Sequence, residues 1–171
     1  IGVEYSKNKL KTNAAVFFDD IKDYIQQNSI TKAYENAGKT KIRGFESVAT
    51  YFINGSDYFK TNYTYISIRN KLTNAPLTGR PKHKLYAGLS KKLWYESTAF
   101  ISLTYTGEQY VSTGAVGGFT LYNLDLTKRI TMSGKADLDI FFNCKNIFDK
   151  DYYDGAGPSE GRCYVCGVKA V

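Results

Sequence analysis

Apolar and polar side chains alternate along this chain with a period of two, in about nine runs separated by turn residues. A strand with one dry and one wet face requires that period, because successive side chains point to opposite faces. The first run sets Ile1, Val3 and Tyr5 against Gly2, Glu4 and Ser6; the second sets Leu10, Thr12, Ala14, Val16 and Phe18 against Lys11, Asn13 and Asp19. The next three carry Phe45, Ala49, Tyr51 and Ile53, then Phe59, Thr61, Tyr63 and Tyr65, then Leu85, Ala87 and Leu89. The last four carry Ala99, Ile101, Leu103 and Tyr105; Tyr122, Leu124 and Leu126; Leu138, Ile140 and Phe142; and Tyr164, Val168 and Ala170. Helical spacing is nowhere sustained, so the pattern predicts an all-β protein, an antiparallel up-and-down meander of about nine strands. Pro76, Pro81 and Pro158 fall between the runs, where a missing N–H removes no ladder bond.

The connections alternate in length. Short turns at about 6–9, 54–57, 91–96 and 131–135 interleave with long segments at about 25–38, 69–82, 111–118 and 149–161. Consecutive connections of a meander lie at opposite ends, so one end carries the short turns and the other the long loops, as in outer-membrane barrels. The apolar parity would then face hydrocarbon. The polar parity, with Glu46, Lys60, Asn62, Asp125, Asp137, Asp139 and Lys169, would face a wet lumen. Tyr5, Tyr51, Tyr65, Tyr105, Tyr122 and Tyr164 sit on the apolar parity, where amphipathic rings suit the headgroup layer. In a soluble sandwich the same parity would pack on a second sheet. Nine strands do not close an up-and-down barrel, since the first and last would run parallel, so more chain is implied.

Composition narrows this further. The 171 residues include 15 Tyr and 10 Phe but one Trp and one Met, and carry a net charge of +7. No run approaches the roughly 18 consecutive apolar residues of a spanning helix. Barrel strands need only about 9–11 alternating residues, which leaves the mean hydropathy hydrophilic. The chain starts at Ile1 without an initiator Met or an export signal, so a fragment or processed piece is expected. Cys163 and Cys166 are three apart in a strand-like run and fall on opposite faces, which argues for free thiols rather than a zinc or redox pair.

Toward the C-terminus, Asn146-Ile147-Phe148-Asp149-Lys150-Asp151-Tyr152-Tyr153 and then Gly161-Arg162-Cys163-Tyr164-Val165-Cys166-Gly167-Val168-Lys169 resemble the end of the barrel in TonB-dependent outer-membrane receptors. Upstream, Asn36-Ala37-Gly38-Lys39, Gly44-Phe45-Glu46, Asn62-Tyr63-Thr64-Tyr65 and Leu77-Thr78-Gly79-Arg80-Pro81-Lys82-His83-Lys84 are similar to the same family's last strands, in the same order. The resemblance spans essentially the whole chain. It implies a 22-stranded transmembrane β-barrel in the bacterial outer membrane, of which residues 1–171 supply roughly the last nine strands. It also implies an N-terminal plug domain and earlier strands outside this sequence, and a coupling segment that binds TonB. The parent would import a ferric siderophore, haem or a cobalamin-like solute, so its partners are a small metal chelate, TonB, outer-membrane lipid and lipopolysaccharide. No cofactor or resident metal is implied. A small structural or adhesive barrel and a soluble carbohydrate-binding sandwich are the alternatives.

If the final strand descends to the periplasm, the long loops are extracellular and wall the ligand vestibule. The segment from Arg69 to Lys84 carries Arg69, Lys71, Arg80, Lys82, His83 and Lys84 with no acid, which suits an anionic ligand or a lipopolysaccharide phosphate. A merely solvated basic loop would have the same composition. Tyr24, Tyr34, Tyr110, Tyr152 and Tyr153 could stack on a planar chelate or simply pack the loops. Asp149, Asp151, Asp154 and Glu160 could pair with the basic loop. Catalysis is disfavoured: the sole imidazole is His83, and Asp137 and Asp139, about 7 Å apart on one strand face, suit a hydrated lumen wall. The basic residues are scattered over both ends of the sheet, so nucleic acid is not an expected partner.

Overall fold

The computed structural model describes residues 1–27, 31, 33–36, 38–77, 80–111, 114–132, 137–154, 157 and 159–170. The first strands are β1 (Gly2–Lys7), β2 (Leu10–Ile21), β3 (Ile25–Gln27), β4 (Tyr34–Asn36), β5 (Thr40–Phe52) and β6 (Tyr58–Asn70). They are followed by β7 (His83–Lys92), β8 (Ser97–Thr106), β9 (Gln109–Val111), β10 (Gly114–Val116), β11 (Phe119–Thr131), β12 (Asp137–Lys145) and β13 (Cys163–Ala170). Nine of them form one antiparallel sheet in the order β1-β2-β5-β6-β7-β8-β11-β12-β13. Each predicted run lies in one of these nine, except that Ile1 and Ile53 fall one residue outside β1 and β5. The remaining four make two small hairpins, β3-β4 and β9-β10, inside long loops.

The connections sort by end as the spacing predicts. Two residues join β1 to β2 and four join β7 to β8, whereas residues 71–82 and 146–162 join strands at the opposite end. Short turns are held by their own polar side chains. Asn54 Oδ1 accepts from the backbone N–H of Ser56 and Asp57 at 3.0 and 2.8 Å, an Asx arrangement that closes the β5–β6 turn. Pro76 and Pro81 lie outside the strands in isolated bridges to Arg69 and Gln109. Pro158 and most of the predicted turn at 131–135 lie outside the described residues.

The sheet has no covered core. Among the described residues Cys144 is the one buried apolar side chain, while Ile101, Tyr105, Tyr122, Leu126, Ile140, Phe142, Tyr164 and Val168 are all exposed on the apolar parity. A sandwich would have buried that parity under a second sheet, so the outward apolar wall belongs to a barrel in hydrocarbon. Cys163 and Cys166 stand on opposite faces, and no cysteine is disulfide-bonded.

The pairing register shows how the wall is set. One rung runs Leu10–Tyr51–Phe59–Leu89–Ile101–Leu124–Cys144–Tyr164 across eight strands. Leu10 begins beside a short turn, but Tyr164 lies beside a long loop, six residues from Ala170 at the far end of β13. That offset is about 20 Å at about 3.3 Å per residue. The two rims are level only if every strand tilts, which is the stagger a closed barrel requires.

The polar parity is lined by hydrogen-bonding side chains. Arg129 Nε and Nη2 grip Asp139 at 2.8 and 3.0 Å, and Asn143 donates to Asp125. Three phenylalanines on this face, Phe17, Phe100 and Phe141, reach over Gly44, Gly88 and Gly167 with the far ends of their rings. A Cβ at any of these glycines would meet the ring, so the glycine makes room for the aromatic and the ring shields the bare backbone from water.

Candidate functional site: the long-loop end

β6 and β7 position the basic segment. The loop folds back along β6: Leu77 N donates to Ile68 O at 3.0 Å, and Ile66 N donates to Lys82 O at 2.9 Å. Asn70 Oδ1 starts the loop by accepting from Leu72 and Thr73 N–H at 2.9 and 3.1 Å, and Arg69 Nη1 donates to Asn74 O at 2.8 Å. The neighbouring β8–β9 connection is tied on by Lys82 N to Glu108 O at 3.3 Å and Gly107 N to His83 O at 2.8 Å. As a result the Lys82 ammonium sits 5.1 Å over the Tyr110 ring, a cation–π geometry. Four of the sequence-predicted residues, Arg69, Arg80, Lys82 and Tyr110, therefore line one cleft. Its interior space is about 10 Å³, which is room for about one water. It presents clustered positive charge to the rim rather than a pocket that engulfs a solute.

The other predicted residues go elsewhere. His83 opens β7 on the apolar parity, with Nδ1 2.8 Å from the Tyr63 hydroxyl and its ring 5.1 Å from that of Tyr65. It belongs to the aromatic girdle rather than to the basic cleft. Tyr152 packs on Phe119 with ring centroids 4.3 Å apart, which ties the last long loop to the start of β11. Tyr34 on β4 is 76% exposed and Tyr153 46%. Tyr24 is half-buried where its N–H donates to Gly38 O at 3.1 Å. Tyr34 and Tyr153 are thus the rings presented to the outside, and Tyr152 is a packing residue.

The C-terminal motif is a backbone staple. Asn146 adopts a left-handed conformation (φ 51°), which Asn tolerates better than most residues. Its amide is almost fully buried: Nδ2 donates to Lys150 O at 3.0 Å, and Oδ1 accepts from Lys150 N at 2.9 Å. Its own N–H reaches Asn123 Oδ1 at 3.0 Å on β11. Asp149 Oδ1 accepts from Arg162 N at 2.7 Å, with the Arg162 guanidinium 3.9 Å from its other oxygen. Asp149 therefore pairs inside its own loop and not with the basic segment.

At the opposite rim, Asp57 is buried in its turn. Hydrogen bonds from Lys91 Nζ at 2.6 Å, from Lys92 N–H at 2.7 Å and from the Asn54 amide at 2.9 Å hold its carboxyl down to about 2. It neutralises Lys91, which would otherwise stand alone on the apolar parity.

The sequence reading passed over Lys41 and Arg43. Both lie on the apolar parity of β5, across from Arg69 and Ser67. Their charge breaks the alternation, which is unbroken only from Phe45 onward. The signal was nevertheless there, as two cations on odd positions continuous with Phe45.

Nine tilted antiparallel strands with an outward apolar wall, short turns at one rim and long basic and aromatic loops at the other define a segment of an outer-membrane β-barrel. The TonB dependent receptor-like, beta-barrel family matches residues 1–147, and the chain belongs to that family. Solved structures agree in fold. The ferric citrate transporter FecA superposes with a TM-score of 0.82 at 22% identity, over 99% of this chain and 30% of that one. The copper transporter OprC gives 0.81 at 19% identity, over 98% and 29%. The ferric-catecholate import receptor Fiu from E. coli K12 gives 0.72 at 21% identity, over 94% and 25%. The chain thus spans between a quarter and a third of the length of these structures. The meander is consistent with part of a 22-stranded barrel, in the outer membrane of Gram-negative bacteria.

Proposed function

We propose that residues 1–171 form roughly the last nine strands of a TonB-driven import receptor, completed by earlier strands and a plug domain, whose cargo is an anionic metal chelate. The observation that carries the reading is the rim pair Arg80 and Lys82 with Tyr110, in a cleft bounded by Arg69 from the outward parity of β6, in a chain of this barrel family. Convergent cations with an aromatic face suit a negatively charged ferric siderophore better than a neutral solute. Tyr34 and Tyr153, exposed on two other long loops of the same rim, would add contact area. Fiu and FecA are named for ferric catecholate and ferric citrate, which is the same chemical class.

The test is uptake by cells that carry the complete receptor, with labelled ferric siderophores, haem and cobalamin offered in turn. The expected result is TonB-dependent uptake of an anionic ferric chelate that falls about tenfold or more in Arg80→Gln/Lys82→Gln, the scale of one or two lost charge-assisted hydrogen bonds. Uptake that persists without TonB, or a preference for an uncharged solute, would overturn it.

A further inference from the structure

The β5–β6 turn holds the chain's sole Asn-Gly step, Asn54-Gly55, and both residues are exposed at the short-turn rim. This dipeptide carries a latent reaction. The glycine nitrogen can close a five-membered imide on the asparagine Cγ, and water then opens the ring to a carboxyl group. A turn can oppose that closure or assist it.

Gly55 is not required by the backbone. Its φ lies outside the left-handed region that Gly38 and Gly114 occupy, and a Cβ there would meet no atom within 4 Å. Among the described residues its N–H donates no hydrogen bond, although those of Asn54, Ser56 and Asp57 all do. The attacking nitrogen is therefore unshielded by a side chain and has no bond to give up.

Asn54 supplies the electrophile. Its Oδ1 accepts from Ser56 N–H at 3.0 Å, from Asp57 N–H at 2.8 Å and from the Ser56 hydroxyl at 3.3 Å. Three donors on one carbonyl oxygen draw charge from Cγ and stabilise the oxyanion that forms when a nucleophile adds. The amide nitrogen, which has to leave, donates to Asp57 Oδ2 at 2.9 Å, and the Lys91 ammonium sits 2.6 Å from the same oxygen. A proton source thus stands beside the leaving group.

We propose that Asn54 is a self-modification site, converted to aspartate and isoaspartate with water as the only co-reactant. Gly55 N attacks Asn54 Cγ and gives its proton to water. The Cγ–Nδ2 bond breaks, and the nitrogen leaves as ammonia with a proton from Lys91, which recovers one from water. A second water adds to either carbonyl of the imide. Opening at one restores the ordinary peptide link with an aspartate side chain, and opening at the other routes the main chain through the side chain. The product puts a carboxylate where an N–H donor met Asp57, so attraction turns to repulsion beside the group that holds Lys91 and the Lys92 N–H. The tie between the β5–β6 turn and β7 loosens as the protein ages. The reaction depends on this turn alone and is independent of which solute is carried.

The complete receptor is incubated in mildly alkaline buffer, digested and mapped by mass spectrometry, with isoaspartate scored by an isoaspartyl methyltransferase. Asn54 is expected to convert ahead of every other asparagine. Gly55→Ala, in which a methyl group crowds the attacking nitrogen, is expected to slow the conversion about tenfold or more. Hydroxylamine, which cuts a chain at an imide, should cleave aged wild type after residue 54 and so reads the intermediate without any variant. Asn54→Asp should reproduce in fresh protein the faster hydrogen exchange at the Lys92 N–H that ageing brings. An Asn54 that stays intact while other asparagines convert, or an unchanged rate in Gly55→Ala, would overturn the inference. A stable bond from residue 54 to Lys91, with ammonia lost, would overturn the choice of Gly55 as the nucleophile.

Discussion

On the apolar parity, rings point away from the sheet: Phe18 is 70% exposed and Tyr164 59%. On the polar parity Phe17, Phe100 and Phe141 fold down over Gly44, Gly88 and Gly167. The same residue type thus serves two solvents. Against hydrocarbon an aromatic ring is itself the contact surface. Against water it is useful only where it covers backbone that would otherwise be bare. Charge divides in the same way: the polar parity accepts Arg129, Asp139, Asp125 and Lys60 along its length, whereas the apolar parity carries cations toward the rims.

The sharpest way to break this contrast is to put one charge on each face of the wall. Leu124→Arg, on the apolar parity, is expected to cost about 2–4 kcal/mol in bilayer unfolding titrations. Thr104→Arg, on the polar parity, should stay within about 0.5 kcal/mol. Equal costs would mean that the two faces do not meet different solvents. Next in size is Asn146→Ala at the rim where the faces meet. It removes two side-chain hydrogen bonds to Lys150 and leaves a left-handed residue without its polar side chain. A loss of about 1–3 kcal/mol is expected in the same titration.

Smaller still is Phe17→Ala, which uncovers Gly44 on the wet face. A cross-strand pair of this kind contributes about 0.2–1 kcal/mol, and hydrogen exchange should quicken at the β2–β5 pairing around Gly44 before it does elsewhere in the sheet. The last test concerns pH. The Asp57 carboxyl is depressed from 3.8 to about 2, so its stabilisation is complete above about pH 4 and is lost as pH falls through about 2. Acid titration of wild type should show a loss in that window, and Asp57→Asn should flatten it.

Much of this fold was legible because period two is strict wherever a strand crosses hydrocarbon. Leu85-Tyr86-Ala87-Gly88-Leu89 could hardly be anything but a half-wetted strand, and β7 holds it in that register. Alternation failed where its physical cause stopped. Thr40–Gly44 extend β5 beyond the apolar zone, so Lys41 and Arg43 occupy the outward parity without penalty and the pattern no longer marks a strand. The hairpins β3-β4 and β9-β10 are three residues a side, too short to show any period.

The candidate site was partly legible. Arg69, Arg80, Lys82 and Tyr110 do meet, although Tyr110 comes from a different loop that only backbone pairing brings in. The presence of His83 in the basic stretch suggested a shared role, but the parity of β7 sends its ring to Tyr63 and Tyr65 instead. Asp149 looked available to the basic loop, but Arg162, thirteen residues on, takes it at short range.

The slanting rung from Leu10 to Tyr164 bears on any attempt to map this wall against the membrane. Positions that share a hydrogen-bonded row do not share an altitude, since the row enters near one leaflet and leaves near the other. Quenchers or spin labels placed along it would report a steady climb. Sites of equal depth have to be chosen on the diagonal.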